Sequence, residues 1–439
     1  MILVRLRKGN RDLIKDINRN LILNLIKSGG PISRTDIARL SGLSLATVSG
    51  ITGAFIGSGL VHEMGAGEST GGRRPVLLRL NYQAGFVVGV KLMEQAITSA
   101  LTDLDAKVLY HRVTPLTTAG SRPLPASIQS PECSEGAAER TIAGTDLATI
   151  LQAITKAVED TIAESRVERQ RVLGIGIGMA GVVDGEAGIC RYSPFFGWRN
   201  VKIAEPIATH FRVPVYLEND VNTLTIAEQW FGHGHGVDHF VVVTVGRGIG
   251  AGIAVNGQFS RGALGGAGEV GHITLQENGP PCDCGKRGCL EALASDPAVV
   301  RQARTAIALG EKTALAGIEP LTLEAIVAAA EAGDELARRL LAGSGRWLGV
   351  GIATLVNILN PQLVIVGGEG VRAGEWRFGP MREAVREHAF DSLADDLDVV
   401  IEPAGDETWA RGAACVVLGE LFKSPVHRRE AIDLMAAMA

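Results

Sequence analysis

The stretch EVGHITLQENGPPCDCGKRGCLE, residues 269–291, contains the most specific chemical pattern of this chain. One histidine and three cysteines follow the spacing H-x9-C-x-C-x4-C, namely His272, Cys282, Cys284 and Cys289. Three thiolates and an imidazole on a glycine-rich knuckle make a closed four-coordinate shell, with no open position for a catalytic water. We therefore predict a structural Zn²⁺ site; the alternative is three reduced cysteines without a metal.

Polar residues surround this knuckle in the sequence and also follow a predicted strand at residues 213–217. The set comprises Asn219, Asp220, Glu269, His272 and Glu291. Together these side chains can bind several hydroxyl groups as mixed donors and acceptors. Each alone would more often be a helix cap or a surface residue, so the interpretation depends on their converging around the metal. His272 would then both bind zinc and face the ligand, so that the metal orients a wall of the pocket.

The N-terminal segment has the pattern of a helix-turn-helix. Apolar residues recur at helical spacing from Leu13 to Ile26, and Ser33 with Asp36 starts a second helix. Gly42 permits a tight turn before Ser44 begins a third helix, which can enter a major groove. The candidate base-reading residues on that third helix are Ser44, Thr47, Ser49 and Thr52.

Two apolar segments after this helix predict a β-hairpin wing. Residues 60–61 and 76–80 flank GAGESTGGRRP, which carries Arg73 and Arg74. Two arginines on such a loop suit phosphate contact or insertion into a narrow minor groove. The alternative is a helical bundle with a solvated basic loop.

Charge and length support a basic head on an acidic body. Residues 1–80 contain 12 Lys and Arg against 5 Asp and Glu, and the net charge of the whole chain is −5. The excess of positive charge predicts contact with a polyanion. A chain of 439 residues is expected to contain two to three domains. No apolar run is long enough for a membrane segment and no signal peptide is evident, so we expect a cytoplasmic protein.

The body shows strands that are first consecutive and then alternate with helices, in two halves. Strands are predicted at 86–92, 97–103, 107–114, 172–178, 213–217, 240–245, 250–255, 363–366 and 399–403, with a helix at 147–166. This order fits a duplicated α/β architecture with ligands between two lobes. The Ser-, Pro- and Gly-rich stretch 114–146 is predicted to be a flexible insertion.

In these motifs the chain resembles the ROK family of repressors, open reading frames and kinases. The matching stretches are LENDVNTLTIAE (217–228), TVGRGIGAG (244–252), GALGGAGEVGHI (262–273), CDCGKRGCLE (282–291) and NILNPQLVIVGG (357–368). The head, with GGRRPVLLRL (71–80), is similar to the repressor branch, whereas the short kinases lack it. The resemblance implies a winged helix-turn-helix at 1–82. A two-lobed, hexokinase-like (actin-like, ribonuclease H-like) domain would follow at 83–439, with lobes at about 83–217 and 218–439.

The resemblance also assigns roles to individual residues. Asn219, Asp220, Glu269, His272 and Glu291 match the family's sugar contacts, and Asp220 matches the general base of its kinases. His272, Cys282, Cys284 and Cys289 match its zinc ligands.

One segment departs from the kinase pattern. Family kinases have an Asp-x-Gly-Gly-Thr-type loop after the first strand of the body, but here Gly89-Val90 is followed by KLMEQ, residues 91–95. Bulky side chains thus stand where phosphates would approach the backbone, and Glu94 would repel them. In the second phosphate loop, Arg247 replaces a frequent Thr. We expect no catalytic residue, with Asp220 as a vestigial base.

The sequence therefore predicts a sugar-responsive DNA-binding repressor of carbohydrate metabolism genes with a degenerate ATP site. Its partners would be a double-stranded DNA operator and a monosaccharide or sugar-phosphate effector. It would form a homodimer or homotetramer, since helix-turn-helix proteins usually read two half-sites. The alternatives are an ATP-dependent, glucokinase-like sugar kinase and a sugar sensor that acts on a protein partner.

Overall fold

The computed structural model describes residues 11–66, 74–116, 146–403 and 405–423. Arg73 and most of the insertion expected at 114–146 lie outside the described residues. Within those ranges, no helix combines the length and the apolar composition needed to cross a membrane.

The head is a three-helix unit with a small antiparallel sheet. Its elements are α1 (Arg11–Gly29), β1 (Ile32–Ser33), α2 (Arg34–Ser41), α3 (Leu45–Gly57), β2 (Val61–Ala66) and β3 (Val76–Leu80). The predicted caps are present: the Ser33 hydroxyl accepts from the amide of Asp36, and the Ser44 hydroxyl accepts from the amide of Thr47. Gly42 ends α2 with a φ of 70°, a conformation that favours glycine. The expected helix-turn-helix and wing strands are thus formed.

The first body sheet is covered by helices on both faces. Its elements are β4 (Phe86–Leu92), β5 (Ala96–Asp103), β6 (Val108–Pro115), α4 (Leu147–Ser165), β7 (Val172–Met179), α5 (Ala204–Phe211) and β11 (Val215–Asn219). A small sheet branches from it, made of β8 (Val182–Asp184), β9 (Ile189–Ser193) and β10 (Trp198–Lys202). Every residue of β4, β5 and β7 is buried, as expected for central strands covered on both faces.

The second body sheet follows α6 (Asp220–Phe231). It consists of β12 (Phe240–Val245), β13 (Ile249–Val255), β14 (Gln258–Ser260), β15 (Leu363–Gly367) and β16 (Asp398–Ile401). The helices of this half are α7 (Leu290–Ala294), α8 (Asp296–Ala308), α9 (Leu323–Glu331), α10 (Glu335–Leu359), α11 (Glu375–His388) and α12 (Asp406–Phe422).

The two sheets have the same strand order, which confirms the predicted duplicated α/β fold. In each, three antiparallel strands are followed by two parallel ones, in the orders β6-β5-β4-β7-β11 and β14-β13-β12-β15-β16. The carboxyl ends of the parallel strands in each sheet lie at one edge, where α/β proteins bind ligands.

The C-terminal helix α12 belongs to the first sheet in space, although it follows the second in sequence. It packs on β4, β5 and β7, and also along α6. Glycines allow this close approach: a Cβ at Gly89 would lie 1.8 Å from the carbonyl oxygen of Ala410, and one at Gly176 would lie 1.9 Å from that of Ala413. The lobes are therefore not two consecutive stretches of the chain, and the boundary predicted at 217/218 does not account for α12.

The head is packed directly onto the body through α1. Side-chain amides of Asn20 and Asn24 donate to the carbonyl oxygen of Phe422 at the end of α12, at 3.1 and 2.9 Å. The Lys27 ammonium lies 3.8 Å from the ring centre of Trp230, in α6, and 4.2 Å from that of Phe422. One continuous apolar core joins head residues such as Ile22 and Ile26 to the end of α12.

Candidate functional site

Two of the polar residues predicted to converge, Asn219 and Asp220, lie where the parallel strands of the first sheet end. Lys91 and Glu218 both pair with Gly178 in register, which places them on the same level of the sheet. Asn219 ends β11 and Asp220 begins α6. The sequence thus brings a strand end and a helix start together at the edge of the sheet that faces the second lobe.

Asn219 and Asp220 are fixed by local hydrogen bonds. The side-chain oxygen of Asn219 caps α6 by accepting from the amide of Asn222 at 3.2 Å, and its amide group donates to the carbonyl oxygen of Gly181 at 3.0 Å. A carboxylate oxygen of Asp220 accepts from the amide of Val221 at 3.0 Å. Burial raises the pKa of Asp220, and the nearby ammonium of Lys91 opposes this shift.

Glu269, His272 and Glu291 form a second group that is electrostatically connected to Asp220. Nε2 of His272 lies 3.9 Å from a carboxylate oxygen of Glu269, and Glu291 accepts from the amide of Ile249 at 3.0 Å. Burial raises the pKa of both glutamates, and the His272 imidazole opposes that rise. The charge of Asp220 adds a smaller rise to the pKa of Glu269.

The four predicted metal ligands form one compact cluster. One donor atom from each of His272, Cys282, Cys284 and Cys289 lies within 4.8 Å of the others. The Sγ atoms of Cys284 and Cys289 are 3.7 Å apart, and Nδ1 of His272 is 3.7 Å from Sγ of Cys282. Around a tetrahedral Zn²⁺ these separations would be about 3.8 and about 3.6 Å, calculated from typical zinc–ligand bond lengths. The donor set therefore fits a single metal ion.

The three thiols differ in acidity. Burial raises the pKa of Cys282 to about 12 and also raises that of Cys289. The pKa of Cys284 is lowered, because hydrogen bonds with the Lys286 backbone and with the other two thiols outweigh the effect of burial. Three adjacent thiols cannot all ionise easily without a cation, whereas a bound metal deprotonates its thiol ligands. Nδ1 of His272 faces the thiols while Nε2 faces Glu269, as the predicted double role requires.

On the other side of Asp220, the buried side chain of Lys91 connects the two lobes. Its ammonium lies 3.7 Å from a carboxylate oxygen of Glu369, which follows β15, and 4.2 Å from the ring centre of Trp409 in α12. The Lys91 side chain is only 5% exposed. A cation contributed by the chain itself therefore lies beside the carboxylate of Glu369, and its charge opposes the rise in the pKa of Asp220.

The second glycine loop, Gly246-Arg247-Gly248, has carboxylates directly above its glycines. A Cβ at Gly246 would lie 2.2 Å from Oε2 of Glu369, and one at Gly248 would lie 2.9 Å from Oε2 of Glu291. The guanidinium of Arg247 reaches 3.8 Å from carboxylate oxygens of both Glu94 and Asp283. Oε1 of Glu94 is buried without a hydrogen bond among the described atoms, and burial raises the pKa of this carboxyl group.

Sequence reasoning missed two acidic residues that organise this cleft. Glu218 is buried, accepts from the amide of Asn219 and pairs with Nε of Arg261 at 2.6 Å. Its position before Asn219 in the quoted motif was the available signal. Glu369 had no such signal, because its meeting with Lys91 depends on how the lobes pack.

The candidate DNA-contacting residues differ in exposure. Ser44 and Ser49 are exposed on α3, Thr47 is half-buried, and Arg74 is exposed at the base of the wing. Thr52 was predicted to read a base, and this prediction is wrong. Its side chain is fully buried, donates to the carbonyl oxygen of Val48 and accepts from Arg34, so it cannot reach a base edge.

Comparison with known proteins identifies the relatives of this chain. The model of the ROK family matches residues 135–420. The xylose repressor of Caldicellulosiruptor bescii is 31% identical over 422 residues, which cover 95% of this chain and 100% of the repressor.

Two similar solved structures, a transcriptional regulator and a kinase, cover different shares of this chain. A ROK family transcriptional regulator, a homologue of the Escherichia coli MLC protein, has a TM-score of 0.77 and 29% identity and covers 97% of both chains. A ROK family glucokinase from Streptomyces griseus, in complex with glucose and AMPPNP, has a TM-score of 0.62 and 27% identity. The glucokinase match spans 99% of that enzyme but only 76% of this chain.

Proposed function

The chain belongs to the ROK family, and we propose that it acts there as a sugar-responsive transcriptional repressor of carbohydrate metabolism genes. The observation that carries this proposal is the pairing, in one chain, of a winged helix-turn-helix with a hydroxyl-binding cleft. The head packs directly on the body that contains the cleft, through α1 and α12.

The effector sugar binds between the lobes, against the side chains described above. The sugar-binding residues are Asn219, Asp220, Glu269, His272 and Glu291. Their carboxylates accept hydrogen bonds from hydroxyl groups, and the amide of Asn219 can serve as donor or acceptor. Asp220 would accept a hydrogen bond from the hydroxyl that a kinase would phosphorylate.

The ligands His272, Cys282, Cys284 and Cys289 hold a structural Zn²⁺. Bound zinc would keep the three thiols ionised and fix the ring of His272. The imidazole would then present Nε2 to the sugar and to Glu269, so the metal acts through the shape of the pocket wall.

The nucleotide site is degenerate, so the chain is not an enzyme. ATP needs backbone amides and bound cations around its phosphates. Here Glu369 and Glu291 lie over the second glycine loop, and Glu94 lies at the position of the first. The Lys91 ammonium pairs with Glu369, a carboxylate that would otherwise be available for Mg²⁺.

Two helices connect the cleft with the head. Helix α6 begins at Asp220 and ends beside Lys27 of the head, about 18 Å away at 1.5 Å per residue. Helix α12 runs from Trp409, beside Lys91, to Phe422, which accepts hydrogen bonds from α1. A Cβ at Gly412 would lie 2.1 Å from the carbonyl oxygen of Thr223, so the two helices are in backbone contact and would move together.

The head binds a double-stranded DNA operator as part of a homodimer or homotetramer. Ser44, Thr47 and Ser49 face the major groove, and Arg73 and Arg74 bind the backbone or minor groove. Sugar binding would change the relative position of two heads and hence their fit to two half-sites. A repressor acts on DNA, so its place is the cytoplasm.

A thermal-shift screen of monosaccharides tests the sugar site. A sugar at about 100 times its Kd is expected to stabilise the native state by about 2.7 kcal/mol. Glu269→Ala should lose this stabilisation, while Glu277→Ala, an equal charge change at an exposed position of the same segment, should keep it. Stabilisation that is equal in both variants would contradict the assigned site.

A coupled assay with ATP, Mg²⁺ and the stabilising sugar tests the alternative of a sugar kinase. We expect the same background rate for the wild type and for Asp220→Asn. A turnover above about 1 per second that Asp220→Asn abolishes would show an active enzyme instead.

A further inference from the structure

We propose that the effector is an uncharged monosaccharide and that its phosphate esters are excluded by the charges of the cleft. This inference rests on the proposed function, since it concerns the ligand of the same site. It decides between two effector classes, the free sugar and the sugar phosphate, that the motifs alone leave open.

The first feature that disfavours a phosphate is the charge around Asp220, where the sugar hydroxyl that a kinase would phosphorylate would lie. Glu369 lies 3.7 Å from the ammonium of Lys91, and Asp220 closely follows Glu218, which is level with Lys91 across the sheet. Lys91 is buried beside Glu369, with the ring of Trp409 covering it. A phosphate placed here would therefore meet two carboxylates and a cation that already has negatively charged neighbours.

The second such feature is the glycine loop Gly246-Arg247-Gly248. Carboxylate oxygens of Glu369 and Glu291 lie against Gly246 and Gly248, at 2.2 and 2.9 Å from the positions that a Cβ would take, so an anion at this loop would meet two carboxylates. Ile249 donates its amide to Glu291 at 3.0 Å, so that donor is already used by an anion of the chain. Glu369 thus adds negative charge to a loop that already faces the carboxylate of Glu291.

The third such feature is Arg247, the cation of this loop. Arg247 lies between Glu94 and Asp283, at 3.8 Å from each, and its guanidinium is 5.3 Å from the ring centre of Phe195. The buried oxygen of Glu94 has no hydrogen-bond donor among the described atoms, which makes Arg247 its main counter-charge. Recruiting Arg247 to a phosphate would leave this buried carboxylate unbalanced.

Neutral hydroxyl groups face none of these penalties. They donate to carboxylates, and a carboxylate is a strong acceptor for them. An acidic cleft with paired cations thus favours a ligand that has many hydroxyl donors and no negative charge.

The test is calorimetric titration of the full-length, zinc-loaded protein with matched pairs. Each pair is a free pentose, hexose or N-acetylhexosamine and its terminal phosphate ester, and the 6-O-methyl hexose controls for size. We expect the ester to bind at least tenfold more weakly than its parent, and the methyl ether to lie between them. Higher salt should narrow the gap between ester and parent, because it screens repulsion.

Two variants of one residue make the test specific to charge. Glu369→Gln should move the ratio of ester to parent affinity toward the ester by several-fold, since it leaves Lys91 less neutralised. Glu369→Asp retains the charge and should leave that ratio near the wild-type value.

An ester that binds more tightly than its parent would overturn the inference while leaving the sugar site standing. A ratio of ester to parent affinity that stays the same in Glu369→Gln would also overturn the inference. If neither the free sugars nor the esters bind, the proposed sugar site is wrong and this inference falls with it.

Discussion

At the scale of single residues, short-range hydrogen bonds form the caps and the turn of the helix-turn-helix. Ser33, Gly42 and Ser44 act as the caps and turn that their neighbours indicate, because capping involves only three or four consecutive residues. Thr52 was expected to face DNA but is turned inward, where it contacts Arg34 of the preceding helix. Nothing in the local pattern gives the orientation of α3 against α2.

The metal cluster makes the sharpest prediction at this scale. Cys284→Ser should reduce bound zinc from about one per chain to a small fraction. It should also weaken sugar binding by at least about tenfold, because the ring of His272 loses its support. Metal analysis of the purified protein and titration with the stabilising sugar measure the two effects.

Cys190→Ala provides the control, since this buried thiol lies in the first lobe, apart from the cluster. It should keep both zinc and sugar affinity. Full zinc content in Cys284→Ser would contradict the assigned ligand set.

At the scale of helices and strands, periodicity predicted nine body strands to within about two residues, because buried strands are short apolar runs bounded by turns. It did not predict the short strands β8, β9, β10 and β14. The two-residue strand β1, which pairs with β3, has too few residues to form a pattern. The return of α12 to the first sheet also has no local signal, since it depends on glycines in β4 and β7 that are distant in sequence.

The contact of α1 with α6 and α12 has a measurable pH dependence through Lys27. Burial lowers the pKa of Lys27 to about 8, although the two aromatic rings beside it favour the charged form. The unfolded chain, with a pKa of 10.5 at this lysine, binds more protons than the folded chain between about pH 8 and pH 10.5. The contribution of Lys27 to stability therefore increases as the pH rises through that range.

Urea unfolding of wild type and Lys27→Met at pH 7, 8.5 and 9.5 tests this expectation. The free energy of unfolding of the wild type should rise relative to that of Lys27→Met as the pH increases. Lys15→Met, at an exposed position of the same helix, should show no such pH-dependent difference. A constant difference for Lys27→Met would mean that Lys27 titrates normally in the folded protein.

At the scale of the whole molecule, the resemblance carried by the motifs gave the family, the order of the domains and the duplicated fold. It did not give the charges that meet when the lobes close on each other. Lys91 and Glu369 are 278 positions apart, and their pairing depends on two sheets and the cleft between them. The four clustered metal-ligand candidates could therefore be predicted from the sequence, whereas the pairing of Lys91 with Glu369 depends on the packed structure.

The proposed sugar-responsive repressor is tested most directly by the affinity of the full-length protein for its own upstream DNA, measured by fluorescence anisotropy with and without saturating sugar. We predict salt-dependent duplex binding whose Kd changes at least about fivefold with the sugar, and a loss of that change in Glu269→Ala. An operator affinity that stays the same when the sugar site is saturated would contradict the proposed function.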